Sequence, residues 1–297
     1  MNDNPKIQNE IDIVRKFANV TPDKITFHDK GFLSRGYVIS NGEIVFKFPK
    51  YPHVNYENEV ITLDFLREQN FSEILDINLQ RVNKDWTDTS TYRHIGFYGV
   101  PGESIADLQR KSAQLDTHYI GTQLGKFLSK MHEQNKATTI GETLEDEINR
   151  DIEIWKNMDT DAKEFLNQHF TKSDQTLINK LVTQYVPAEL RKLGEQLVYS
   201  HSDIHEGNVF IDSKEKVGII DFDNAGFYDA ARDFARMDND DILSAMLNTY
   251  GANESLRKKI EIRRDIVRPF TMLARLLFPE DYIEKAKDTV EKYKNLL

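Results

Sequence analysis

The sequence predicts an α+β protein of two lobes: a small antiparallel sheet first, then a larger, mainly helical part. Three observations carry this. Short β-like runs crowd residues 25–98, and apolar residues at helical spacing dominate beyond Gly102. Between residues 209 and 220, a short hairpin pattern interrupts the helical part. A chain of 297 residues is long enough for two such lobes, each with a core of its own.

Ile7, Ile11, Val14 and Phe17 recur at helical spacing and predict an amphipathic helix over residues 6–19. Residues 25–27, 37–39 and 44–48 read as strands. Gly31, Ser34, Arg35 and Gly36 fall between the first two, and Asn41-Gly42 marks a tight turn before the third. Helical spacing returns over 55–69, where Tyr56, Val60 and Leu63 form one stripe with Ile61 and Phe65 beside it. Strands are expected over 79–82 and 91–98. Gly99-Val100-Pro101-Gly102 then breaks the chain, which places the lobe boundary there: an N-terminal lobe of residues 1–100 and a C-terminal lobe of 101–297. Beyond it, Ile120, Leu124, Phe127, Leu128 and Met131 form a core stripe. A polar helical stretch runs to about residue 195, and residues 254–297 are helical again.

Composition narrows the function classes. The formal charge is −10, from 39 Lys and Arg against 49 Asp and Glu, which argues against a nucleic-acid or anionic-membrane surface and suits a cationic partner. Without cysteine there are no disulfides, thiol nucleophiles or thiolate metal sites. The N-terminus lacks an apolar signal core and no stretch approaches a membrane span, so a cytoplasmic monomer is the expectation.

The most informative stretch spans residues 198–223. Two apolar runs, 209–211 and 217–220, flank a five-residue turn, Asp212 to Lys216. Asp203 and Asn208 lie in the loop entering this hairpin, and Asp221 lies at its exit. A carboxylate, a carboxamide and a second carboxylate are thereby folded into one small space. Magnesium takes hard oxygen ligands, and phosphoryl transfer needs a positioned nucleophile and neutralised charge. His201 and His205 stand four apart, but on a loop this spacing aligns no helical face for zinc. Asp223 is a further candidate ligand of lower rank. Lys47 interrupts the apolar run 44–48, on the same side of a strand as Val45. An ammonium on a part-buried face needs a partner, and Glu59 on the following helix is the candidate, with Glu57 as its competitor.

A strand-rich lobe, a breaker and a helical lobe carrying such a loop and hairpin make a protein-kinase-like architecture. His201-Ser-Asp203-Ile-His205-Glu-Gly-Asn208, followed by Ile220-Asp221-Phe222-Asp223, resembles the aminoglycoside phosphotransferases. Phe46-Lys47-Phe48-Pro49-Lys50 and Asn58-Glu59-Val60 resemble the 2″-phosphotransferase branch. The resemblance covers the chain from about Gly31 to Asp241. It implies that Asp203 orients the acceptor hydroxyl, that Asn208 and Asp221 hold two Mg²⁺ ions, and that Lys47 and Glu59 clamp the phosphates of ATP or GTP. It further implies that Ser34 and its neighbours offer N–H groups to phosphate. Backbone groups of Tyr98 and Val100 would read the purine, and His201, His205 and Asp233 would hold the catalytic loop in shape.

Two acidic clusters bear on the acceptor. Asp238, Asp240 and Asp241 follow the hairpin and are expected to bind its amines. Glu142, Glu145, Asp146, Glu147, Asp151 and Glu153 surround Arg150 and read equally well as a solvated helix face. The expected activity is transfer of a γ-phosphoryl group to an aminoglycoside hydroxyl, an antibiotic-resistance function. The alternatives are a kinase of another small cationic alcohol, such as choline, or of a macrolide, and a catalytically dead nucleotide-binding scaffold.

Overall fold

In the computed structural model, which describes residues 4–29, 33–39, 42–134 and 140–294, the N-terminal β-like runs form one antiparallel sheet. Gly31 and Asn41, read above as loop and turn residues, lie outside the described residues. Helix α1 (Pro5–Ala18) leads into β1 (Ile25–His28), β2 (Ser34–Ile39) and β3 (Ile44–Pro49). Helices α2 (Glu57–Glu68) and α3 (Phe71–Leu75) follow, then β4 (Asn78–Leu79), β5 (Arg81–Asn83) and β6 (Ile95–Tyr98). The five-stranded sheet runs β1-β2-β3-β6-β5.

Two local departures from the sequence pattern have physical causes. The strand expected over 91–98 starts only at Ile95, because the Asp88 carboxylate accepts the backbone N–H groups of Ser90 and Thr91 and curls the preceding segment into a turn. The strand expected over 79–82 is split at Gln80, whose flanks join different sheets. β5 pairs with β6, whereas β4 pairs in parallel with the hairpin strand over Val217–Ile219.

Further along come β7 (Glu103–Ser104), α4 (Ile105–Arg110), α5 (Thr117–His132), α6 (Leu144–Lys156), α7 (Thr160–His169), α8 (Lys172–Lys180) and α9 (Val186–Leu193). Strand β8 (Leu197–Ser200) precedes the hairpin strands β9 (Val209–Ile211) and β10 (Val217–Ile219), and β11 (Gly226–Asp229) follows them. The hairpin register pairs Val217 with Ile211 and Ile219 with Val209, around the expected turn. The chain ends in α10 (Asp240–Tyr250), α11 (Glu254–Ile262), α12 (Arg268–Ala274) and α13 (Pro279–Tyr293). Between α8 and α9, and again between α11 and α12, the helix passes through a π turn, Leu181–Tyr185 and Arg263–Val267. Pro187 and Pro269 stand shortly after these turns. Each lacks an N–H and crowds the carbonyl one turn back, and the wider turn accommodates that misfit without ending the helix. Among the described residues no helix is long and apolar enough to cross a membrane.

The chain divides into two compact units, and the division differs from the boundary expected at residues 100/101. The first unit is Met1–Phe127 with Asp203–Ala225, and the second is Leu128–Ser202 with Gly226–Leu297. The reason is strand pairing. The hairpin is built into a sheet of order β4-β10-β9-β7, which ties the loop and hairpin to the first 127 residues. Gly218 in that hairpin is forced by packing, since a Cβ there would meet Val100 Cγ1 at 2.1 Å.

Each unit has an apolar core and a buried ionic anchor. In the first, Val14 of α1 packs with Tyr37, Ile39, Phe46 and Phe48 of the sheet. The Arg35 guanidinium reaches across to Glu10 of α1 (Nε–Oε2 2.8 Å), and the Tyr37 hydroxyl donates to the same carboxylate at 2.7 Å. In the second unit, α6–α9 and α11–α13 share a core containing Ile148, Trp155, Leu181, Ile266 and Phe270. There the Lys259 ammonium meets Asp229 at 2.6 Å and the Gly194 carbonyl at 3.1 Å.

Glu10→Leu leaves the Arg35 guanidinium buried without its carboxylate and is expected to cost about 3 kcal/mol or more of stability. Glu10→Leu/Arg35→Met is expected to recover most of that loss, because both charges go together. Urea unfolding of the two variants measures both outcomes.

Candidate active site

Lys47 lies in β3 between Phe46 and Phe48, which point into the core, so its own side chain emerges on the opposite, part-buried face. It is opposite Gly36 on one neighbouring strand and Ile95 on the other, and its ammonium stands 5.4 Å from the centre of the Phe97 ring. Its partners are two carboxylates: Glu59 at 2.8 Å (Oε1) and 3.1 Å (Oε2), and Asp221 Oδ1 at 2.7 Å. Glu59 is fully buried in the first turn of α2, whereas Glu57 is exposed. Two positions apart on a helix lie about 200° apart around its axis, so only one of the two can face the sheet.

Burial favours the neutral form of Lys47, but Asp221 and Glu59, helped by Asp223, outweigh it and hold the ammonium charged well above the usual lysine range. Burial raises the Glu59 carboxyl, with Asp221 adding to the rise and Lys47 opposing it. Asp223 is pushed up further still, by burial first and then by Asp221, with Glu59 and Asp203 adding to it. Four carboxylates therefore feel one another here, and Lys47 offsets them only in part.

The loop from Asp203 to Asn208 is bridged internally by main-chain and side-chain hydrogen bonds. Asn208 N–H donates to the His205 carbonyl at 2.9 Å, and the Asn208 carboxamide nitrogen donates to the Asp203 carbonyl at 3.0 Å. Gly207 N–H donates to His205 Nδ1 at 3.0 Å. His205 Nε2 stands 3.9 Å from Asp203 Oδ1. The loop is joined to the end of the hairpin by Ile220 N–H on the Asn208 carbonyl, at 3.1 Å. Asp221 adopts a left-handed backbone (φ 71°), which costs a non-glycine residue on the order of 1–2 kcal/mol. Gln80 Oε1 accepts its N–H at 3.1 Å. Asn58, beside Glu59 on α2, donates to the carbonyls of Asp223 and Ala225, both at 2.9 Å.

This geometry fits a divalent cation on Asn208 and Asp221. With the Asn208 nitrogen committed to a carbonyl, its oxygen is the atom that could ligate, and a cation would relieve the surplus of carboxylates. Among the described residues no group of three or more His, Asp or Glu side chains converges as a metal site, so the fit rests on this pair.

The remaining candidates are placed as follows. The Ser34 hydroxyl accepts from the Tyr56 hydroxyl at 2.8 Å, and Arg35 is turned into the buried pair with Glu10. Tyr98 lies inside the ladder, opposite Ile44 and Arg81, with its ring 5.1 Å from Trp86. Val100 comes just after the strand end. In the second unit Asp233 accepts the N–H groups of His201 (3.1 Å) and Ser202 (2.5 Å), the Ser200 hydroxyl (2.7 Å) and a contact from His132 Nε2 (2.8 Å). Asp238 pairs with Arg268 (3.2 Å) and Lys285 (2.7 Å), and Asp240 pairs with Arg264. Asp241 is exposed and forms no ion pair among the described residues. The other acidic cluster is largely taken up internally. Glu142 pairs with Arg150 and Arg232, Glu147 is buried against Arg232 and Arg263, Glu145 pairs with Arg191, and Asp146 closes a capping box with Thr143.

Sequence reasoning missed Gln80 and His132, and saw Asn58 only as part of a motif. A carboxamide aimed at a main-chain group leaves no periodic or compositional mark. The one available signal was the polar Gln80 inside an apparent strand.

A profile of the phosphotransferase enzyme family matches residues 24–255. No curated protein matches the chain. Among solved structures, the GDP and kanamycin complex of APH(2″)-IIIa is similar with a TM-score of 0.70 and 14% identity, over 97% of this chain and 98% of that one. Spectinomycin phosphotransferase APH(9)-Ia, with ADP and spectinomycin, gives 0.63 and 17%, over 96% of each chain. A choline/ethanolamine kinase family protein from Mesorhizobium loti gives 0.63 and 14%, over 98% and 94%. At such identities the likeness speaks for a kinase-like fold, and the profile, spanning the loop, the hairpin and Lys47, speaks for the chemistry: the chain belongs to the phosphotransferase enzyme family.

Proposed function

We propose that this phosphotransferase moves the γ-phosphoryl group of ATP or GTP onto a hydroxyl of an aminoglycoside, and so confers antibiotic resistance. The observation that carries the reading is Lys47, held between Glu59 and Asp221 beside the Asp203–Asn208 loop. Lys47 grips the phosphates and Glu59 keeps its ammonium in place. Main-chain N–H groups around Ser34 cover the phosphates, and backbone groups of Tyr98 and Val100 meet the purine edge. Asn208 and Asp221 would hold Mg²⁺, which when bound would supply positive charge against the charge developing on the transferred group. Asp203 orients the acceptor hydroxyl and takes its proton as the oxygen bonds to the γ-phosphorus. The bond from that phosphorus to the β–γ bridging oxygen breaks, and the nucleoside diphosphate departs. Asp238, Asp240 and Asp241 meet the acceptor's amines, Asp241 without an ion pair among the described residues and the other two with their charge partly offset by Arg268, Lys285 and Arg264.

That offset favours a second reading, a kinase of a smaller cationic alcohol such as choline, which needs fewer carboxylates. Mass spectrometry of kanamycin, streptomycin, spectinomycin and choline after incubation with Mg²⁺ and either nucleotide decides between the two. The aminoglycoside reading expects the mass of one phosphate on kanamycin or streptomycin. Phosphorylation of choline alone would replace it.

Asp203→Asn is expected to lower turnover on the order of a hundred- to ten-thousand-fold while nucleotide affinity stays near wild type. Wild-type turnover in this variant would remove Asp203 from the mechanism. Lys47→Ala and Glu59→Ala are expected each to raise the nucleotide KM and lower kcat, Glu59→Ala more mildly. Their double variant should be little worse than Lys47→Ala alone, because the two side chains act as one unit. Asp241→Asn should raise the acceptor KM more than Asp238→Asn does, increasingly so with amine number, and added salt should weaken wild-type acceptor binding. Unchanged acceptor KM across that series would exclude Asp241 from the acceptor site.

A further inference from the structure

The segment from Asp221 to Ala225 is neither helix nor strand, yet its main chain is held at four points by three side chains. Gln80 Oε1 accepts the Asp221 N–H, Glu59 accepts the Phe222 N–H, and the Asn58 carboxamide donates to the carbonyls of Asp223 and Ala225. Glu59 is already committed to Lys47. Asn58 and Gln80 belong to different elements, α2 and the one-residue gap between β4 and β5. We propose that these two carboxamides form a bracket that positions Asp221 for a metal-bound nucleotide, an inference that rests on the phosphotransfer reading above.

Three features support the bracket. Asp221 sits in the left-handed region, a conformation that persists only where its surroundings over-determine it. Gln80 is buried at the strand break, and the residue that follows it belongs to another sheet, so the break itself aims the side chain. The chemistry also requires amides. Asn58 uses both of its N–H bonds on two carbonyls, which a carboxylate cannot do. A further acid beside Glu59, Asp221 and Asp223 would add to a surplus of negative charge. Both are positioning residues, acting through Asp221.

The test compares Asn58→Asp and Gln80→Met, near-isosteric changes that remove the donors and the acceptor respectively. Titration calorimetry measures ATP and GTP binding, with Mg²⁺ and with EDTA. With Mg²⁺ the affinity of each variant is expected to fall about tenfold, while the EDTA values stay within about twofold of wild type. Equal losses with and without Mg²⁺ mean a general structural role and overturn the proposal, as does wild-type Mg²⁺ dependence in both variants. Asp221→Ala is the control. If it keeps the wild-type gain from Mg²⁺, the metal reading itself fails; if it loses the gain while the carboxamide variants keep theirs, only the bracket fails. Should Asn58→Asp not fold, Asn58→Ser keeps one donor and should show an intermediate loss. Amide exchange on the wild-type protein needs no variant and no nucleotide. The bracket expects slow exchange at Asp221 and Phe222, and rapid exchange there would overturn it.

Discussion

The ammonium of Lys47 is the constraint on which the first unit depends. It is buried and bonded to Glu59 and Asp221, and it offsets only part of a cluster that also includes Asp203 and Asp223. Such a cluster is not how a chain gains stability. Apolar residues of similar volume would remove the desolvation penalty and the repulsion together. The chain keeps the charges, and the surrounding elements are arranged to hold them: apolar neighbours on β3 send Lys47 to one face, the first turn of α2 delivers Glu59, and the hairpin returns Asp221 to the same point. A field this unbalanced attracts cations, which is the physical requirement for a site that handles nucleotide phosphates.

Elsewhere the two units place their buried charges differently. Glu10 with Arg35, and Lys259 with Asp229, are closed pairs that fasten one element to another. Asp233 spends its carboxylate on the N–H groups of His201 and Ser202, immediately before Asp203 in the chain. Burial is the largest single influence on the Asp233 carboxyl and pushes it up, but His132, His201 and Ser200 together hold it below the usual range. Those acids are each matched to a cation or to main-chain donors, whereas around Lys47 one ammonium is shared among several carboxylates.

Much of the site was legible because its residues stand where their types are uncommon. A lysine in an apolar strand, an acid two positions into a helix, and a hairpin flanked by Asp203, Asn208 and Asp221 each break a local pattern, and each break could be read. The alternation of β3 and the turn of the hairpin were legible for the same reason, since periodicity fixes which side chains share a face. Tertiary pairing was not legible. The parallel contact of β4 with β10 splits an apparent strand and carries the hairpin into the first unit, so the compact units are not divided at the Gly99-Val100-Pro101-Gly102 break. The turn at 88–91 was hidden by β-prone Thr91 and Tyr92, where local capture by Asp88 prevails over propensity. The acidic run around Arg150 looked like free charge because its cations, Arg191, Arg232 and Arg263, are distant in sequence.

The hydrogen bond from Gly207 to His205 determines where protons can go. A peptide N–H is always a donor, so the imidazole Nδ1 that receives it carries no hydrogen, and in the neutral ring the hydrogen resides on Nε2. A Cβ at Gly207 would meet the ring at 2.8 Å, so glycine is what lets the imidazole lie close enough to make that bond. With its acceptor nitrogen occupied and its other nitrogen already protonated, the ring has no vacant lone pair to offer. Between Asp203 and His205 the imidazole is thus confined to donating, and a proton accepted by this pair goes to the carboxylate.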